Sequence, residues 1–153
     1  MVRLTDLSEA ERTHLEQLPC QGFDTEPWVD GPPLAERRVA MISTAALQRR
    51  DDRPFLAGAA DYRVIANDTP AADLVMSHVS TNFDRSGFEQ DLNVVLPLDR
   101  LRELAEAGEV GSVGRYHYAF MGSTDPTQME DAARELAGHL KADGVDSCLL
   151  IPV

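Results

Sequence analysis

The feature that most constrains this fold is an alternation in the second half of the chain, where apolar runs of strand length take turns with amphipathic stretches of helix length. "LPLDRLRELAEAGEVG" (96–111) carries Leu98, Leu101 and Leu104 at helical spacing. Pro97 is expected at its first position, and Gly108 or Gly111 as its stop. "SVGRYHYAFMG" (112–122) then reads as a strand. "DPTQMEDAARELAGHLKADG" (125–144) is a second helix, with Asp125 as cap, Pro126 behind it, and Met129, Ala133, Leu136 and Leu140 on one face. "SCLLIPV" (147–153) reads as a last, buried strand. Strands separated by helices imply parallel β-α-β units. The expected fold is therefore α/β, a three-layer, mainly parallel sheet of Rossmann or flavodoxin type, with the last strand at the C-terminus.

The first half fits the same scheme less regularly. "RRVAMIST" predicts a strand over about 38–43, and its continuous apolar run suits a strand covered on both faces. Residues 49–60 read as irregular, "DYRVIA" (61–66) as a short edge strand and "ADLVMSHVS" (72–80) as another apolar strand. The polar stretch "TNFDRSGFEQDLN" (81–93) reads as a loop of functional length. Residues 8–18 predict a helix, with Ser8 and Glu11 forming a capping box. Residues 19–36 are broken by Pro19, Gly22, Pro27, Gly31, Pro32 and Pro33. The expected organisation is an N-terminal helix-and-loop appendage (1–36) and one α/β domain (37–153).

Composition excludes several classes of partner. The net charge is −12, so nothing balances the phosphates of a nucleic acid. No run of about 18 apolar residues is present, so no membrane span is expected. "MVRLTDLSEAER" has no apolar signal core, so the expected location is cytoplasmic. The two cysteines, Cys20 and Cys148, lack the spacing of a metal site or a redox pair. Cys148, inside an apolar run, is expected to be buried.

In open parallel sheets ligands collect at the carboxyl ends of the strands. The first strand delivers Ser43 and Thr44 there; the 72–80 run delivers Ser77, His78, Asn82 and Asp84; the 112–122 strand delivers Met121 and Gly122. His78 is the expected general acid or base, with Asp84 or Asp91 to orient it. Ser43, Thr44, Ser77, Asn82, Asp91, Asn93, Met121 and Gly122 are the expected substrate-binding residues. His117, between two tyrosines in a strand, is expected to be structural, and His14 and His139 to lie on helix surfaces. No metal site is expected. A Ser-His-Asp hydrolase is an alternative, but no G-x-S-x-G elbow is present.

Six stretches in order carry a family resemblance: "ISTAAL" (42–47), "DYRVIANDTP" (61–70), "SHVSTNFD" (77–84), "DLNVVLPLDRLREL" (91–104), "GSVGRYHYAFMG" (111–122) and "DGVDSCLLIPV" (143–153). Residues 37–153 resemble the glycine/sarcosine/betaine reductase selenoprotein B family, which includes D-proline reductase subunits. The resemblance implies reductive cleavage of a C–N bond in a small amino-acid-like substrate. It implies electrons from a thioredoxin-type donor, and partner subunits. In that family the strand equivalent to "CLLIPV" is followed at once by a redox motif that begins with selenocysteine or cysteine. No cofactor is expected in the chain as it stands, and selenocysteine is expected in the full-length form. The end at Val153 then corresponds to a UGA codon read as stop, a shortened form or a natural terminus. A homo-oligomer or a partner subunit is expected to cover the apolar surface left beside the last strand. The alternative function is a non-catalytic small-ligand-binding or assembly subunit.

Overall fold

The computed structural model describes residues 3–17, 22, 24–79 and 85–153. The chain divides into two compact units, Met1–Asp30 and Gly31–Val153. In the first, α1 (Glu9–Glu16) starts at the expected capping box. The Glu11 amide donates to Ser8 Oγ at 3.3 Å, and the Ser8 amide donates to Glu11 Oε2 at 3.1 Å.

The second unit is mixed α/β, with a mainly parallel sheet. Its centre is β1 (Arg38–Ser43), and β7 (Ser147–Ile151) runs parallel along one side, from Val39 opposite Ser147 to Ser43 opposite Ile151. Along the other side lie two pieces of one interrupted strand, β5 (Ser112–Val113) and β6 (Tyr116–Phe120). Val39 sits opposite Val113, but Ile42 sits opposite Tyr118, so two extra residues are inserted between the pieces. The expected continuous strand over 112–122 is thus broken by a bulge at Gly114-Arg115. β3 (Tyr62–Ala66) pairs antiparallel with β6 and forms the expected edge.

The pairings sort the side chains onto two faces. On one, Ile42, Tyr62, Tyr118 and Phe120 pack against Leu136 and Leu140 of α4 (Glu130–Ala142). On the other, Val39, Met41, Ile65 and Ala119 pack against Leu98 and Leu101 of α3 (Leu98–Glu106), with Leu47, Leu74, Val95 and Leu96. β1 is covered on both faces, as its unbroken apolar run predicted.

Several expectations are corrected. The 72–80 run does not join the main sheet. Its regular part is only β4 (Leu74–Met76), which pairs antiparallel with β2 (Leu47–Arg49) in a separate ribbon. That also places a strand at the start of the stretch read as irregular. The last strand is at an edge rather than buried: among the described residues β7 pairs with β1 alone. α4 packs over β1 and β6 and leaves Leu150, on its own face of the sheet, 67% exposed; Leu149, on the α3 face, is 45% exposed. Cys148 is likewise exposed rather than buried. Finally, Pro97 is the N-cap of α3 rather than its first residue. The second amide of that helix, Asp99 N, donates instead to Asn93 Oδ1 at 3.0 Å. The polar stretch before it also holds a short helix, α2 (Ser86–Gln90). No helix among the described residues is long and apolar enough to cross a membrane.

Candidate functional site

The carboxyl ends of β1, β6 and β7 form one row. Ser43 stands opposite Ala119 on one side and Ile151 on the other, and each strand runs on into irregular chain. Thr44 joins the row together. Its amide donates to the Ile151 carbonyl at 3.1 Å, and its Oγ1 accepts from the Val153 amide at 2.8 Å. Gly122 lies against it with φ 81; a β-carbon there would stand 2.6 Å from the Thr44 carbonyl oxygen. Only a residue without a side chain fits both that angle and that approach.

Ser43 and Met121 are fully buried beneath this row. Ser43 Oγ donates to the Val95 carbonyl at 2.8 Å and accepts from the Ala45 amide at 3.2 Å. Met121 packs with Ala46 and Phe55. Both hold the edge in place, whereas Thr44 is half-buried and Gly122 exposed.

The sharp exit from β1 brings in the separate ribbon. Ala46 has φ 52, a left-handed conformation unusual for alanine, and its amide donates to the Phe120 carbonyl at 2.8 Å. Its carbonyl accepts from the Ser77 amide at 3.0 Å. Ser77 and His78 therefore reach the carboxyl edge, although their strand is not in the main sheet. His78 is 6% exposed, and its carbonyl accepts from the Arg85 guanidinium. Burial, and secondarily the Arg85 charge, hold its imidazole below the usual histidine range, so it is neutral near pH 7. A neutral imidazole has one nitrogen to accept a proton and one to donate a hydrogen bond.

Asn82 and Asp84 lie outside the described residues. Asp91 and Asn93 are used locally: Asp91 Oδ1 accepts from the Asn93 amide at 2.9 Å and from its Nδ2 at 2.8 Å, and Nδ2 also donates to Asp99 Oδ2 at 3.0 Å. Together they brace the start of α3. Asp125 caps the turn before α4 through the Thr127 amide at 2.9 Å. Among the described residues no group of three or more His, Cys, Asp or Glu side chains is placed to hold a metal ion.

His117 is structural in a specific way. Beside the bulge the Met41 amide donates to His117 Nδ1 at 3.0 Å. The ring is fully buried, and burial, aided by the Arg102 charge and opposed by Asp143, pushes its pKa down to about 4. His139 is exposed on α4, 3.5 Å from Glu135, and His14 is exposed in the last turn of α1. Sequence reasoning missed Ala46, whose left-handed turn carries no glycine signal. It also missed Gln48, 3% exposed, whose Oε1 accepts from the Phe55 amide at 3.1 Å and fixes the loop behind Met121.

The family described as glycine/sarcosine/betaine reductase selenoprotein B (GRDB) matches residues 59–152, from just before β3 through β7. The D-proline reductase subunit gamma of Acetoanaerobium sticklandii is 32% identical over 120 residues, 76% of this chain and 49% of the relative. The betaine reductase complex component B subunit beta of Peptoclostridium acidaminophilum is 28% identical over 123 residues, 76% of this chain and 28% of the relative. The glycine reductase complex component B subunit gamma of the same organism is 36% identical over 140 residues, 88% of this chain and 32% of the relative. The chain thus spans half the length, or less, of these relatives. No solved structure matches.

Proposed function

The chain belongs to the glycine/sarcosine/betaine reductase selenoprotein B family, and from that premise we propose that it serves as a subunit in the reductive cleavage of a C–N bond in a small amino-acid-like substrate. The family match carries this reading, because it covers every element that builds the carboxyl edge except β1 and its exit. In such a reaction two electrons and two protons are taken up, the C–N bond breaks, and a C–H and an N–H bond form. The electrons come from a thioredoxin-type dithiol through a selenocysteine or cysteine on the segment after β7. Thr44, by gripping the Val153 backbone, sets the direction in which that segment leaves the sheet. His78, neutral near pH 7, takes the proton of the attacking thiol or selenol as a base and, as imidazolium, passes it to the departing nitrogen. Asp84 orients His78, and Ser77, Thr44, Gly122 and Asn82 line the substrate's position.

The protein works in the cytoplasm, where thiols are kept reduced. The exposed apolar side chains of β7 are covered by a second copy or by a partner subunit, and that covering completes the three-layer, Rossmann-like arrangement. Reading the gene through and beyond the Val153 codon tests the proposal. A UGA followed by an open frame with a nearby cysteine or selenocysteine codon supports it. A form carrying cysteine at that position is expected to oxidise a dithiol in the presence of glycine, sarcosine, betaine or D-proline. A frame that stops at UAA or UAG, with no dithiol oxidation by the chain, leaves a ligand-binding or assembly subunit instead.

A further inference from the structure

The segment Asp24–Asp30 ends the first unit. Residues 26–30 form neither helix nor strand, and every residue from 24 to 30 is exposed. Trp28, the chain's single tryptophan, is 90% exposed, and Val29 beside it is 81% exposed. A soluble protein gains nothing from a tryptophan held in water, and tryptophan is among the residues most enriched at the energetic centres of protein interfaces. Pro27 restrains its own φ and keeps Glu26 out of the helical region, and Pro32 and Pro33 follow three residues after Val29. The peptide is thus biased toward an extended form, which lowers the entropy lost on docking.

Charge selects the kind of partner. Between Arg12 and Arg37 the sequence holds five carboxylates, Glu16, Asp24, Glu26, Asp30 and Glu36, and no lysine or arginine. Three of them flank Trp28 within four residues. A second copy of this chain, itself at −12, is poorly matched to such a peptide, and an anionic membrane surface repels it. We infer that residues 24–30 are a docking peptide whose Trp28 enters an apolar pocket on a different protein chain, with lysine or arginine side chains on the pocket rim. The inference rests on exposure and charge, and it stands whether or not the redox reading holds.

The test uses the full chain in its own cells, with Val29→p-benzoylphenylalanine as a photo-crosslinker beside an intact Trp28. The expected result is an adduct with one different protein, mapped by mass spectrometry to apolar residues bordered by lysine or arginine. That adduct disappears in Trp28→Ala and in the triple change Asp24→Lys, Glu26→Lys, Asp30→Lys. With the mapped partner purified, Trp28→Ala is expected to weaken binding about 30-fold, the loss typical of an interface anchor. All these side chains are exposed, so circular dichroism of the variants should match the parent. No adduct, an adduct with a second copy or with lipid, or one that survives Trp28→Ala overturns the inference.

Discussion

Lowering the pH should loosen the sheet through one residue, His117. In the folded protein its Nδ1 must stay unprotonated, because it accepts the Met41 amide across the bulge. In the unfolded chain the imidazole titrates near 6.5, whereas in the fold it titrates near 4. The folded value is the lower one, so the unfolded state binds the proton first. Stability is therefore complete above pH 6.5, falls as the pH drops from 6.5 to 4, and loses nothing further to this group below that. A gap of about 2.5 units corresponds to ~3 kcal/mol in full, of which about 2 kcal/mol is already gone at pH 5. That is a large share of the roughly 5–15 kcal/mol typical of a domain. The assay is urea unfolding of the wild type and of His117→Asn between pH 8 and pH 4.5. Asparagine Oδ1 sits close to the place of Nδ1, can accept the Met41 amide and does not titrate. The wild type should lose about 2 kcal/mol more than the variant between pH 8 and pH 5. Equal slopes for the two proteins would refute the reasoning, since the carboxylates that also titrate are common to both. His117→Phe should instead cost about 1–3 kcal/mol at every pH, by leaving the Met41 amide without an acceptor.

Three further outcomes follow from the carboxyl edge and from β7. Gly122→Ala should lower stability by about 2 kcal/mol or more in thermal unfolding, because the added methyl meets the Thr44 carbonyl at a backbone angle alanine avoids; an unchanged melting temperature would remove the tight Thr44–Gly122 approach from the account. Thr44→Val should free the Val153 amide to exchange with solvent roughly ten times faster while costing about 1 kcal/mol overall, and Thr44→Ser should restore protection; unaltered exchange would mean that Thr44 does not hold β7's exit. Leu150→Lys should leave the melting temperature unchanged, since the side chain is 67% exposed, and should lower the light-scattering mass if a second copy covers β7; a lower melting temperature would place Leu150 in the core instead.

What could be read in advance was local chemistry. The Ser8–Glu11 box and the doubly covered β1 depend on neighbouring residues and appear as expected; the α4 stripe does so at Leu136 and Leu140, while Ala132 packs where Ala133 was expected and Ala133 is exposed. Pairing was harder. "ADLVMSHVS" has the apolar content of a main-sheet strand, but the left-handed turn at Ala46 sends β2 to meet it in a separate ribbon, and nothing in an alanine announces such a turn. "SCLLI" is apolar enough for a central strand, and the run alone cannot say that one of its edges has no partner among the described residues. The site was legible in part for the same reason. Thr44 and Gly122 touch because they sit where strands end, and Ser77 is tied to the same edge through Ala46. Asp91 and Asn93, chosen for their chemistry alone, prove to brace a helix.

The position of β1 at the centre also sets when the protein can fold. Its partners begin 74 residues downstream, at Ser112 opposite Arg38, and reach 108 residues downstream, at Ser147 opposite Val39. A ladder of such separation closes late, because the intervening chain must be gathered before any contact repays it. As the polypeptide leaves the ribosome, Val39, Ala40, Met41 and Ile42 emerge with no ladder partner, and they stay so until β5, β6 and β7 have followed. Synthesis is therefore the interval in which these apolar side chains are most open to wrong contacts.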